Sequence, residues 1–350
     1  MQKKYSDELD PLIKLKMKKN LIYVSIFSIV MLFAGFTSAY IVSMGDTFWV
    51  KYPLPVGFWI STSLIVVSSI TYQIAVYFIK KGKLNKLKLL MILTFLFGIG
   101  FVFFQWKGYG QLVDKGAYFR SSIIVTEGRY GDYFEIKYLD KFIEVNANNY
   151  LINGKILNEK QQKELKKFVL PFEKTAKSNY SISSLSPKFT LYYKGEPISI
   201  QKNKLVTTSG KILQYIDMKR LQSLAWNIRD NRGDFFHKGK LGKDFNIYYK
   251  GKKLRYENRE LYFGNKKLSA PLQMKISQSS DTATSYLYII TFLHLLHIIV
   301  AIIYLFRMVL ITFKTNLTVD NQLSIRLGSI FWHFLGILWV YLLVFLLFIH

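Results

Sequence analysis

The sequence predicts an all-α five-helix transmembrane bundle with an inserted extramembrane β-rich (α+β) domain. Three observations predict it. The 350 residues are 51% hydrophobic and 17% aromatic yet carry a net charge of +26, so apolar and charged residues must be segregated along the chain. Five apolar runs, Leu21–Ser43, Val56–Ile79, Leu87–Trp106, Thr284–Met308 and Leu327–Ile349, are long enough to cross the bilayer; crossing its hydrocarbon takes about 20 residues of helix. Between the third and fourth runs, residues 107–283 are rich in lysine and alternate apolar with polar residues, the period of half-buried strands.

Residues 1–20 form a polar tail, read as cytoplasmic. The first apolar run is read as a retained helix and not a secretory signal. Its core exceeds the usual signal length of about 7–15 residues, and a second span follows at once. The block 21–106 therefore holds helices one to three, and 284–350 holds helices four and five.

Lysine placement predicts orientation. Lys14, Lys16, Lys18 and Lys19 precede the first span, and Lys80, Lys81, Lys83, Lys86 and Lys88 fill the second connection. The first connection, MGDTFWVKYPLP, is nearly uncharged. By the positive-inside rule the N-terminus and second connection face the cytoplasm. The insert and the C-terminal His350 are then extracytoplasmic, and the fourth connection, with Arg307, Lys314 and Arg326, is inside.

The insert carries 33 Lys plus Arg against 17 Asp plus Glu. Its body repeats: DYFEIKYLDKFIEVNANNYLINGKIL (132–157), KFTLYYKGEPISIQKNKLVTTSGKIL (188–213) and DFNIYYKGKKLRYENRELYFGNKKL (244–268) share one pattern. Phe134, Ile136 and Tyr138 alternate, as do Phe189, Leu191 and Tyr193, and Phe245, Ile247 and Tyr249. Lys-Gly turns follow two of them, and Leu151, Leu205 and Leu261 recur at matching offsets, each leading to a second turn of the Asn-Gly, Ser-Gly or Gly-Asn kind, a hairpin signal. The linkers 158–172 and 217–230 show helical spacing. These features predict three strand-turn-strand units separated by short helices. A basic surface of this kind either solubilises a small domain or docks an acidic partner or anionic headgroups. No aromatic stacking array points to nucleic acid.

The absence of Cys excludes disulfides, thiolate metal sites, iron–sulfur clusters and covalent haem attachment through thioethers. Of five histidines, His294, His297 and His333 lie in apolar spans. Three imidazoles cannot supply the six that a haem-copper centre needs. His294 and His297, three apart, share a helix face. A helix hairpin would bring His297 near His333. Three uses compete for these rings: hydrogen bonds between helices, axial haem ligation, and a metal or proton-relay site. Bulky Leu293, Leu295 and Leu296 oppose a porphyrin, and the spans contain no carboxylate to accompany a relay. Walker, Gly-x-Ser-x-Gly and His-Glu-x-x-His motifs are absent. Small residues, Gly98 with Gly100 and Ala34 with Gly35, predict close helix packing.

On these residues the membrane blocks resemble subunit III of the haem-copper cytochrome c oxidases, in the short form that lacks the first two of seven helices. SIVMLFAGFTSAYIVS (28–43) is similar to the family's Ser-Glu-x-Met-Phe-Phe-Ala-Gly stretch, and FQWKGYGQL (104–112), with Gln105, to its Phe-x-x-Gln-x-Tyr region. TFLHLLHIIVAIIYL (291–305) resembles Gly-Phe-His-Gly-Leu-His-Val, with His294 and His297 at the matching positions. FWHFLGILWVYL (331–342) resembles Trp-His-Phe-Val-Asp-Val-Val-Trp, matching Trp332, His333, Phe334 and Trp339. Ile29 stands where that family has a buried Glu, Gly336 where it has Asp and Leu295 where it has Gly. The proton-uptake role tied to that Glu therefore does not transfer. The large insert has no counterpart in the ordinary family.

The resemblance implies a subunit that binds neither haem nor copper, packs beside oxidase subunits I and II, which hold those cofactors, and contacts membrane phospholipids. His294, His297, Trp332, His333, Trp339 and Gln105 then serve structure or lipid binding, with no catalytic, cofactor or metal ligand among them. Two other readings stand beside it: a membrane-anchored receptor using the outer repeats, and a haem-bearing quinol-reactive anchor.

Overall fold

The computed structural model describes residues 11–125, 133–174, 187–201, 204–313 and 317–349. Lys314, His350, the first ten residues of the tail, and Asp132, Lys202 and Asn203 of the predicted repeats fall outside them. The chain divides into two units: Met1–Ser43, Leu54–Val113 and Ser285–His350 form one, and Met44–Pro53 with Asp114–Thr284 the other.

The first unit is built from α1 (Pro11–Met44), α2 (Val56–Lys80) and α3 (Leu84–Asp114), joined by α7 (Thr282–Thr312) and α8 (Val319–Phe348). All five are long and apolar enough to cross a membrane. Their side chains are distributed inside out relative to a water-soluble bundle. Apolar residues such as Val42 (75% exposed) and Ile337 (70%) point outward, while Ser61, Ser68, Thr94, Thr291 and His294 are buried between helices. In hydrocarbon this is the favourable arrangement, because polar groups find partners only in the protein.

Glycine sets how closely α2 and α3 cross. A Cβ on Gly57 would lie 2.7 Å from the Gly108 backbone nitrogen, and one on Gly108 would lie 2.6 Å from the Phe58 ring. Gly98 does the same for α3 and α8, where a Cβ would meet Trp332 at 2.9 Å. Gly100 is tight only against the Leu64 side chain, at 3.2 Å, and Gly35 has nothing within 4 Å. The small-residue reading thus holds at Gly98 and fails at Gly35, whose helix face is open.

The second unit contains α4 (Glu159–Val169), α5 (Tyr215–Arg229) and α6 (Ala270–Gln278) with two antiparallel sheets. The larger sheet is formed by β2 (Phe134–Tyr138), β3 (Lys141–Asn146), β4 (Asn149–Ile152), β5 (Lys155–Ile156), β6 (Phe189–Tyr193), β7 (Glu196–Gln201) and β8 (Lys204–Thr207). Its spatial order is β5-β4-β3-β2-β6-β7-β8. The first two repeats meet where Phe134 pairs with Tyr193 and Tyr138 with Phe189. Alternation then places Phe134, Ile136, Phe189 and Leu191 in one core with Leu165, Phe168, Leu221 and Ile228 from α4 and α5. Helix α4 starts in a capping box, Asn158 accepting from Gln161 N at 2.8 Å while Gln161 Oε1 accepts from Asn158 N at 3.0 Å.

The third repeat stands in a separate sheet, formed by β1 (Phe48–Lys51), β9 (Asn246–Tyr249), β10 (Lys252–Glu257), β11 (Glu260–Phe263) and β12 (Lys266–Lys267) in that order. Strand β1 comes from the connection between α1 and α2, whose four residues carry no strand periodicity of their own; Phe48 pairs with Tyr249 and Lys51 with Asn246. Each repeat is also longer than one hairpin. The first turn of each has paired positive φ values, at Leu139 and Asp140, Lys194 and Gly195, and Lys250 and Gly251. Further turns, such as Asn153–Gly154, extend the hairpin into a meander. Helices α4, α5 and α6 follow the three meanders in turn.

Candidate functional site

The polar residues of the membrane helices converge on α8. Along one side of it, Tyr72 donates to the Ile325 carbonyl at 3.1 Å, Trp332 Nε1 to Ser68 Oγ at 3.1 Å and Trp339 Nε1 to Thr62 Oγ1 at 2.8 Å. Ser68 Oγ in turn donates to the Thr94 carbonyl of α3 at 3.0 Å, so Trp332 is tied through it to a third helix. His333 contacts α2 twice, through Nδ1 with Ser69 Oγ and through Nε2 with Gln73 Oε1 at 3.0 Å.

On another side of α8, fully buried His294 reaches across from α7. Its Nε2 lies 3.0 Å from the Leu335 carbonyl, which fixes that nitrogen as the protonated one because a carbonyl only accepts. Around the ring stand Trp339, Phe101 and Phe33, with centroids at 5.3, 6.0 and 6.4 Å. Among the described residues, His294 Nδ1 finds no hydrogen bond though buried, nor does Gln105 Oε1 on α3.

His297 behaves differently although it sits one turn away. Its Nδ1 is 2.7 Å from the Leu293 carbonyl of its own helix, and it is only partly buried against Phe33. The hairpin does not join His297 to His333: one is bonded within α7 and the other to α2. Among the described residues no group of three His, Asp or Glu side chains is placed to hold a metal ion.

Sequence reading found the histidines and tryptophans but missed their partners. Ser61, Thr62, Ser68, Ser69, Tyr72 and Gln73 fall at near-helical spacing inside an apolar span. That spacing is the signal for a polar stripe facing a neighbouring helix.

A second polar centre lies in the other unit, built on residues that no sequence motif marks. His237 is completely buried, with Tyr52 hydrogen-bonded to its Nδ1 and Asp281 Oδ2 at 3.7 Å from its Nε2. Burial, with the Arg232 charge nearby, pushes the imidazole down to about 3, so it is neutral at pH 7 and its contact with Asp281 is no ion pair. Burial pushes the Asp281 carboxyl up to about 7, although hydrogen bonds from Thr284 pull the other way. Asp281 Oδ1 accepts from Thr284 N at 3.0 Å at the start of α7. Close by in sequence, Asp234 receives Arg259 at 2.8 Å, Tyr256 and Ala147 N, binding the third repeat to the first.

These helices and their polar contacts define an integral, multi-pass membrane protein with a β-rich insert. Residues 261–350 match the family model of cytochrome c oxidase subunit III. The matched stretch includes α7 and α8, and with them His294, His297, Trp332, His333 and Trp339, whereas 28–43, 104–112 and Gln105 precede it. No curated protein matches the chain.

Proposed function

We propose that the chain is a non-redox subunit III of a haem-copper cytochrome c oxidase, supporting the catalytic subunit in aerobic electron transport and oxygen reduction. The carrying observation is that the matched stretch, 261–350, coincides with the helices whose rings are spent on packing. His294 holds α7 to α8 and His333 holds α8 to α2. With His294 Nε2 on a carbonyl and both His333 nitrogens on hydroxyl and amide oxygens, these side chains serve architecture, and haem and copper belong to the partner subunits I and II.

In this reading the protein sits in the cytoplasmic membrane with Lys16, Lys18, Lys19 and the 80–88 connection inside and the insert outside. Its outward apolar faces meet phospholipid and the catalytic subunit. The basic insert faces an acidic protein surface, since like charges would repel.

Purification tests the proposal. A tagged chain solubilised in mild detergent should carry with it companion subunits, among them one whose reduced-minus-oxidised spectrum shows haem, and the chain stripped of them should be colourless. A Soret band that stays with the isolated chain, or companions that lack a haem-copper subunit, would refute it.

A further inference from the structure

The second unit contains a groove of about 880 Å³, between the β3–β4 turn, the loop 239–244 and strand β10. Its size falls within the range of small-molecule sites, about 300–1,000 Å³, but its walls are polar where such sites are usually apolar. Three ammonium groups, of Lys240, Lys243 and Lys253, line it together with the side-chain amides of Asn146, Asn149 and Asn231. None of these six side chains is engaged in a hydrogen bond or ion pair among the described residues.

The frame beneath them, by contrast, is fixed. Asn148 uses its whole side chain as a brace, Oδ1 accepting from Gly233 N at 2.9 Å and Phe235 N at 3.3 Å, Nδ2 donating to the His237 and Gly239 carbonyls at 2.5 and 3.0 Å. The two carboxylates in the walls are also committed. Asp244 accepts from Lys240 N at 2.7 Å, and Glu257 lies 3.7 Å from the Arg255 guanidinium. Arg255 itself donates to the Gly264 carbonyl at 3.0 Å. What faces the groove is thus a set of unspent cations and unspent amides on a rigid support.

We propose that this groove binds a phosphorylated sugar. Lysine ammoniums are compact point charges that bind phosphate, three of them together match its multiple charge better than a single carboxylate's, and the arginine in the wall is turned to a carbonyl. The asparagine amides each offer donors and an acceptor, the pairing that sugar hydroxyls need and a bare inorganic anion does not. Leu241, also in the wall, gives a sugar face an apolar edge to rest on.

Isothermal titration of the full chain in detergent micelles tests this with glucose 6-phosphate, inorganic phosphate and glucose as probes. Glucose 6-phosphate should bind at least tenfold tighter than either fragment, and added salt should weaken it. Replacing both Lys243→Gln and Lys253→Gln should weaken it tenfold or more. Asn149→Ala should weaken glucose 6-phosphate while leaving inorganic phosphate unchanged. Lys166→Gln with Lys167→Gln, on α4, should change nothing. The proposal is overturned if inorganic phosphate binds as tightly as the sugar phosphate, if no probe binds, or if the double lysine variant, folded by its thermal transition, binds as the parent does. The ranking of the three probes on the parent chain decides the matter even where a variant fails to fold.

Discussion

Trp339 donates its indole N–H to Thr62 at 2.8 Å while its ring lies 5.3 Å from that of His294, so one side chain of α8 serves both α2 and α7. It also meets Phe58 and Phe101 edge-on, with centroids 5.6 and 5.5 Å away. A residue with this many neighbours fixes the rotation of its helix.

Trp339→Phe loses the donor together with part of a fully buried ring, so the hydrogen bond is weighed through the cycle with Thr62→Val, in which the packing loss cancels. We expect a coupling of about 1 kcal/mol, and Thr62→Val made in addition should cost little more than the first change. Thermal unfolding of the four proteins in detergent provides the cycle. Strictly additive losses would show that the pair does not act together.

His294→Ala should cost about 2–4 kcal/mol, because it opens a cavity among three aromatic rings and strips the Leu335 carbonyl of its partner. His297→Ala should cost under about 1 kcal/mol, since its bond stays within α7 and its ring is partly exposed. Equal destabilisation of the two variants would contradict the distinction drawn between them.

Gly108→Val forces α2 and α3 apart, as even a Cβ would lie 2.6 Å from the Phe58 ring. We expect a loss of several kcal/mol, in the range of severe overpacking. Gly35→Ala, with open space around it, should be neutral or slightly stabilising. Melting temperatures of the two variants that agreed would remove the argument for a glycine-dependent crossing.

The buried Asp281 predicts a pH dependence of known sign. Its folded-state pKa, near 7, stands above the ordinary carboxylate value, so its contribution is complete below that ordinary value and is lost as pH rises through about 7. His237, held at about 3, stays neutral in the folded chain over most of this window while its unfolded form takes up a proton below about 6.5, so it contributes in the opposite sense and cancels when the parent is compared with a variant that keeps it. Asp281→Asn retains an acceptor for Thr284 N and cannot ionise. Between about pH 4 and pH 8 the parent chain should lose stability relative to this variant. A difference that stays constant across the range would rule the assignment out.

The membrane helices were legible because hydrocarbon imposes length and composition on a single continuous segment. The repeats were legible as far as period two and turn chemistry go, and Lys194–Gly195 shows why: Gly195 adopts a positive φ without steric cost, and the turn it signals carries Lys194 into the same region. The placement of Phe48–Lys51 in a sheet was not legible. Four residues in a short connection carry no periodicity, and their partner is named only by pairing with Asn246–Tyr249, far along the chain. The partners of the histidines were hidden for a related reason. The hydrogen bonds that join His333 to Ser69 and Gln73 are long-range facts, decided by how α2 and α8 rotate against each other. His237 and Asp281 illustrate the limit most sharply, since a lone histidine in a polar loop and an aspartate before a span look ordinary until the fold buries both.

Strand β1 has a bearing on how the protein is made. Ribosomes deliver Phe48–Lys51 before α2, but the strand it pairs with emerges about two hundred residues later. Throughout that interval a short aromatic edge with open N–H and C=O groups has no mate, the kind of surface that recruits unwanted neighbours. The small sheet therefore closes late in synthesis, after the two earlier meanders have been completed. An assembly assistant that shields the α1–α2 connection during this wait would raise the yield of correctly finished chains.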